Sequence, residues 1–134
     1  MKIESRIGKL KGKDDKAFEF LTDFNNFKGL IPQDKVKDFK SDMDSCSFSV
    51  PGIGRAGLKI VEKERPKLIK IQSDEQTTFD FSLWIQLKQV SENDARAKIT
   101  VEPQLNAMIE MMAKKPLKQF VDTLVDHLEQ FSFE

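Results

Sequence analysis

Residues 52–57 of this 134-residue chain match the G-x-G-x-x-G pattern with which dinucleotide-binding proteins cradle a pyrophosphate. That chemistry needs a helix to begin at the third glycine, because the phosphates lie at the helix N-terminus. The residues after Gly57 instead alternate like a β-strand, and Pro66 follows soon afterwards. We therefore interpret the motif as a glycine-rich hairpin connection, with a backbone anion site as the alternative.

Nucleophilic or metal chemistry needs clustered side chains that this composition does not supply. The chain has one Cys and one His, which excludes an internal disulfide, a Cys-only metal cluster and a pair of His ligands. Cys46 lies in phase with Phe48, as a small buried hydrophobic residue would, and His127 lies at the border of an apolar helix face. The acidic residues fall out of phase with the apolar positions, so no inward carboxylate pair is predicted. We expect no metal, no cofactor and no catalytic residue.

The overall composition narrows the class of protein further. Lys plus Arg and Asp plus Glu are both 22, so the chain lacks the basic surplus of a nucleic-acid-binding protein. No apolar stretch approaches the roughly 20 residues of a membrane span, and the first residues lack the apolar segment of a secretory signal. We expect a cytoplasmic protein forming a single domain over residues 1–134.

Hydrophobic periodicity predicts the order of the elements. Ile3 to Ile7 alternates like a half-buried strand, and two short helices follow, ending at Pro32. From residue 36 to 102 the period is two, which predicts six short antiparallel strands with one face buried. From Pro116 the apolar residues fall on one side of a long amphipathic C-terminal helix.

The segment before that helix, Gln104 to Lys114, has its apolar residues on the opposite face. Because proline removes a backbone donor, we predict that Pro116 separates or kinks this segment. Its methionines Met108, Met111 and Met112 have two interpretations, either as gap-filling core or as an adaptable surface around an apolar ligand.

Trp84 lies out of phase with Leu83 and Ile85, on the outer face of the predicted sheet. A large aromatic there is either covered by long neighbouring side chains or marks a contact surface. A homodimer through the outer face near Trp84 is the second alternative.

Two local motifs carry a family resemblance. FLTDFNNF at 20–27, followed by Leu30-Ile31-Pro32, resembles the first helices of the START-like superfamily, also called SRPBCC. Lys115-Pro116-Leu117 leading into Phe120 resembles the final helix of its small bacterial members. The superfamily includes the major birch pollen allergen, polyketide cyclases and dehydratases, and lipid-transfer domains. The resemblance implies an α+β helix-grip fold, in which a curved antiparallel sheet of about seven strands wraps around the long C-terminal helix, with two short helices after strand 1.

A helix-grip fold implies a cavity between sheet and helix, and hence a protein that binds or carries a hydrophobic, lipid- or polyketide-like small molecule. The alternatives are a cyclase- or dehydratase-type enzyme, whose inward polar candidates are Ser5 and Ser73, and a co-chaperone-like interaction module. The predicted cavity residues, with the methionine segment and the first phenylalanines over the mouth, are Phe24, Phe27, Leu30, Phe48, Leu58, Ile71, Phe81, Leu83, Ile99, Met108, Met111, Met112, Phe120 and Leu124.

Overall fold

The computed structural model describes residues 1–32, 34–51 and 54–134. Its two short helices, the six strands after them and the long helix follow the predicted order, and it has two further short strands, one before the first helix and one after the last. The elements are β1 (Ile3–Glu4), β2 (Gly8–Gly12), α1 (Asp14–Leu21), a 3₁₀ helix (Phe24–Gly29), β3 (Lys37–Ser41), β4 (Ser45–Val50), β5 (Gly54–Glu64), β6 (Leu68–Ser73), β7 (Phe81–Ser91), β8 (Asp94–Pro103), α2 (Ala107–Leu128) and β9 (Ser132–Phe133).

The strands form one curled sheet in the order β3-β4-β5-β6-β7-β8-β2-β9, with β1 also paired to β8. Neighbouring strands are antiparallel, except that β9 runs parallel to β2. The predicted helix-grip architecture is confirmed, but the sheet is mixed and has nine strands in the described part of the chain. Two residues are too few to show an alternation, so β9 leaves no signal in the sequence.

The long helix α2 is continuous through Pro116, so the predicted separate segment is wrong. Asn106 caps the helix, its side chain accepting a hydrogen bond of 3.0 Å from the Ile109 N–H. Pro116 lacks the N–H that would bond to the Met112 carbonyl. Because Met112 is largely exposed, water can satisfy that carbonyl and the helix tolerates the proline.

The hydrophobic core lies between the concave face of the sheet and α2, which packs against β1, β2 and β8. Ile69, Ile71 and Ile85 from the sheet and Val121 and Val125 from the helix are at most 1% exposed. Each such side chain contributes about 1.5–3 kcal/mol through burial. None of the helices in the described ranges has the length and apolar character needed to cross a membrane.

The first strand does not run from Ile3 to Ile7 as predicted. Ser5 turns inward, where its hydroxyl accepts a hydrogen bond of 2.9 Å from the Ile99 N–H and donates one to the carbonyl of Arg6. The chain bends there, β1 ends, and Ile7 is 64% exposed. A satisfied buried hydroxyl therefore overrides the hydrophobic alternation.

The bend places Arg6 against the C-terminal part of α2, where its guanidinium forms ion pairs with Asp126 and Glu129. The backbone N–H of Arg6 donates to Asp122 over 2.8 Å, and that of Lys9 to Glu129 over 2.7 Å. The hydrogen bond from Arg6 is the main cause of the lowered pKa of the Glu129 carboxyl. These contacts fix the register of α2 over the sheet.

Candidate functional site

An apolar cavity of about 180 Å³ lies between the sheet and the middle of α2. Its walls come from β4, β5, β7 and β8 on one side and from residues 116–123 of α2 on the other. A second, smaller cavity of about 20 Å³ shares Phe48, Leu58, Leu83 and Phe120 with the first. Because these four side chains line both cavities, small changes in their rotamers would change how far the two cavities are connected.

Most of the predicted residues border one of these two cavities. The larger is lined by Phe48, Leu58, Phe81, Leu83 and Phe120, and the smaller also by Phe27, Leu30, Ile99 and Leu124. Phe24 and Ile71 line neither cavity and are fully buried in the core. Phe24, Phe27 and Leu30 are at most 4% exposed, so they pack inside the fold rather than over a mouth.

The methionine segment lies away from both cavities. Met108, Met111 and Met112 are 74%, 82% and 74% exposed and contribute to neither lining. Because α2 is continuous, its 3.6-residue period turns them away from the face that carries Leu124. Both predictions for this segment, buried core and cover of the mouth, are wrong for this structure.

Several lining residues were not among the predicted site residues. Ala56 and Val101 line the larger cavity, and each lies two positions from a predicted residue on its strand, so strict alternation identifies them. Lys35 and Arg55 also border it. They carry no such signal, because Arg55 is out of phase with Ala56 and Lys35 lies in a loop.

Arg55 is held at the cavity rim by Asp74. Its two terminal nitrogens donate hydrogen bonds of 2.9 and 3.0 Å to the two carboxylate oxygens. Asp74 also accepts 2.8 Å from the Thr77 hydroxyl and 3.0 Å from the Gln76 N–H. Gly57 permits this arrangement, since a Cβ there would lie 2.0 Å from an oxygen of Asp74.

The hydrogen bonds from Arg55, and then that from Thr77, lower the pKa of Asp74 to about 2. The ordinary aspartate pKa is about 3.9, so this group stabilises the fold above about pH 4. That contribution is lost as the pH falls towards 2, because the unfolded chain then binds the proton more readily.

We therefore expect Asp74→Asn to lower the midpoint of urea unfolding at pH 7, with the difference from wild type narrowing below pH 4. About a third of each partner is exposed, 35% for Arg55 and 31% for Asp74, so solvent screening keeps the effect small. Asp80→Asn, an exposed carboxylate without an ion pair among the described residues, is the control. A difference that stayed constant from pH 7 to pH 3 would contradict this assignment.

The remaining polar candidates serve the fold. The Ser73 hydroxyl accepts a hydrogen bond of 3.0 Å from the Phe81 N–H, and Ser5 is similarly occupied. The ring of His127 bonds through Nδ1 to the Leu30 carbonyl at 2.7 Å. Burial, and then the charges of nearby carboxylates, raise the pKa of the Cys46 thiol to about 12. It is therefore protonated at neutral pH and a poor nucleophile.

Two further sequence features have structural explanations. Trp84 is half-buried on the outer face, with the amines of Lys2 and Lys70 5.3 and 5.7 Å from its ring centroid, so long neighbouring side chains cover it. β4 and β5 form the predicted hairpin, and the chain continues as a strand through Gly57. Gly52 and Ile53, on which a backbone anion site would depend, lie outside the described residues. Within the described ranges no cluster of His, Cys, Asp and Glu is placed to hold a metal ion.

Comparison with solved structures identifies the architecture. A norcoclaurine synthase mutant from Thalictrum flavum, in complex with a transition-state analogue, superposes with a TM-score of 0.76 at 12% identity, covering 97% of this chain and 92% of that one. XoxI from Bacillus cereus gives a TM-score of 0.74 at 12% identity, over 96% and 93% of the two chains. The chain has the START-like fold.

The di-domain ARO/CYC protein BexL, from the BE-7585A biosynthetic pathway, gives a TM-score of 0.67 at 10% identity. The match covers 96% of this chain and 46% of BexL. No protein-family model and no curated protein matches the sequence. At such identities the likeness establishes the START-like fold and leaves the activity to be argued from the cavity.

Proposed function

We propose that this protein binds and carries a hydrophobic small molecule, lipid- or polyketide-like, in the cavity between the sheet and α2. The observation that carries the proposal is a preformed cavity of about 180 Å³ whose walls are almost entirely aliphatic and aromatic. Such a site gains affinity by removing apolar ligand surface from water, at roughly 25 cal/mol per Å². The fold also supports it, since the START-like architecture places a cavity beneath the long helix.

The cavity walls favour carriage over catalysis. General acid–base chemistry needs a titratable group within hydrogen-bond reach of a bound substrate. The polar lining groups in the described residues are Lys35, Arg55, Gln119 and Thr123. None is a carboxylate, a histidine or a thiol, and the one amine, that of Lys35, belongs to an exposed residue. The inward hydroxyls of Ser5 and Ser73 are hydrogen-bonded to the backbone.

We further propose that the protein acts in the cytoplasm and that it does not dimerise through the outer face of its sheet. The positions of the Lys2 and Lys70 amines over Trp84 support the second point, because they reduce the aromatic surface that a partner could contact. The buried, unpaired Cys46 is compatible with a reducing compartment.

Native mass spectrometry of freshly purified protein, beside its denatured mass, tests the proposal. We expect an excess mass that disappears on denaturation and whose fragments identify an apolar compound. The same spectrum reports dimers. Protein that stays at its bare mass, and that also fails to take up any of a panel of medium-chain lipids and aromatic polyketides, would contradict the proposal.

A further inference from the structure

The charges around the larger cavity are of one sign. Among the described lining residues the charged ones are Lys35 and Arg55, and no carboxylate borders the cavity. Lys35 is exposed and lies in the loop before β3, whereas Arg55 is half-buried near the start of β5. The other polar lining groups, Gln119 and Thr123, are neutral, so the charge that a bound molecule meets at this cavity is positive.

Asp74 orients the guanidinium of Arg55 but does not occupy all of its N–H donors. A guanidinium has five N–H donors in a planar fork, and the bonds to Asp74 use two of them. Asp74 in turn is fixed by Thr77 and Gln76 and packed on Gly57. The remaining donors of Arg55 are therefore held in place at the rim.

Lys35 supplies the net charge. Asp74 neutralises Arg55 in the long-range field, but in the described part of the chain no carboxylate lies within ion-pair distance of the Lys35 amine. An anion at the rim would thus meet one uncompensated positive charge as well as the free N–H groups of Arg55. A neutral head group would accept hydrogen bonds from the same donors but would gain no ion-pair attraction there.

We infer that the ligand is an anionic amphiphile, with its hydrocarbon part in the cavity and a carboxylate at Lys35 and Arg55. This inference rests on the proposed function and adds the class of ligand. A carboxylate at the rim keeps part of its hydration, so it avoids the large cost of burying a charge. The apolar walls contact the hydrocarbon tail, and the oriented guanidinium donates hydrogen bonds to the planar carboxylate.

Isothermal titration calorimetry with sodium decanoate and 1-decanol separates the contribution of the head group to binding from that of the hydrocarbon tail, because the two probes have similar tails and different head groups. We expect wild-type protein to bind decanoate about tenfold more tightly than decanol, because the carboxylate adds an ion-pair attraction to the hydrogen bonds that both head groups accept. In the triple variant Lys35→Gln/Arg55→Gln/Asp74→Asn the two affinities should become equal, through weaker decanoate binding and unchanged decanol binding. Asp74 is included because, left unpaired, its charge would itself repel a carboxylate.

The protein has a second arginine–aspartate pair that serves as a matched control. Arg96 forms an analogous double hydrogen bond, 3.0 Å and 3.0 Å, to Asp94, and neither borders a cavity. The variant Lys59→Gln/Arg96→Gln/Asp94→Asn removes the same three charges elsewhere, and should keep the tenfold preference. Thermal unfolding of both triple variants checks that they fold.

The outcomes distinguish the inference from the proposed function. Equal binding of decanoate and decanol by wild-type protein would overturn the anionic head group and leave apolar carriage intact. A tenfold preference that survives in the Lys35/Arg55/Asp74 variant would overturn the assignment to these residues. Binding of neither probe would contradict the proposed function for medium-chain ligands, and the inference with it.

Discussion

Replacing Ala56 with Phe is expected to abolish ligand binding while leaving the protein folded. Ala56 lines the larger cavity and pairs with Phe48 across β4 and β5. The added ring would occupy the space that we assign to the ligand. Because an empty volume adjoins the site, we expect the substitution to cost less than the 1–3 kcal/mol that is usual for overpacking a filled core.

The expected readout is the ligand-induced rise in the midpoint of thermal unfolding. A ligand at 100 times its Kd stabilises the folded state by about 2.7 kcal/mol, which shifts the midpoint of a domain of this size by several degrees. Decanoate should produce this shift in wild-type protein and none in Ala56→Phe. Val61→Phe, on the same strand at an exposed position, is the control and should retain it.

A full shift in Ala56→Phe would place the ligand outside the described cavity. Loss of the shift in Val61→Phe as well would mean that β5 does not tolerate an added ring anywhere. Retention by Val61→Phe and loss by Ala56→Phe would tie binding to the space between the sheet and α2.

Phe24→Ala is expected to produce the largest loss of stability, about 3–5 kcal/mol, because it empties a ring-sized volume in a core that cannot close around it. Phe24 is 0% exposed, and its ring meets that of Phe27 edge-on with centroids 4.6 Å apart. Since domains are stable by only about 5–15 kcal/mol, this loss is a large fraction of the total. Urea unfolding followed by circular dichroism measures the difference.

Met111→Ala is the matched comparison, since it also truncates a large apolar side chain but at a position that is 82% exposed. We expect it to change the free energy of unfolding by no more than about 0.5 kcal/mol, and to leave decanoate binding unchanged. A loss above 2 kcal/mol for Met111→Ala, or below 1 kcal/mol for Phe24→Ala, would contradict the burial described above.

Most of the fold could be predicted from local hydrophobic periodicity. The alternation of apolar residues in β7 and β8 and the single apolar side of α2 after Pro116 are properties of short segments, and each segment's buried face follows from its own period. The family resemblance implied a cavity between these faces, and Phe48, Leu83 and Phe120, which periodicity places on them, line it. The START-like order of elements could therefore be predicted from the sequence.

The features that the sequence did not reveal depend on partners far along the chain. Ile7 is exposed because Ser5 bonds to Ile99, and β9 exists because α2 returns the chain to β2. The methionines are exposed because α2 continues through Pro116. The helix can continue there because solvent reaches the turn whose carbonyl the proline leaves without a donor. None of these conditions leaves a periodic signal.

The sequence by itself determined which faces are apolar, and so that a sheet and a helix would enclose apolar space. Only the tertiary structure decided what stands at the rim of that space. Arg55 lies 19 residues from Asp74, out of phase with its strand, and it lines the same cavity as Lys35. Charged side chains obey no hydrophobic period, and their positions are set by the ion pairs and loops that the folded chain brings together.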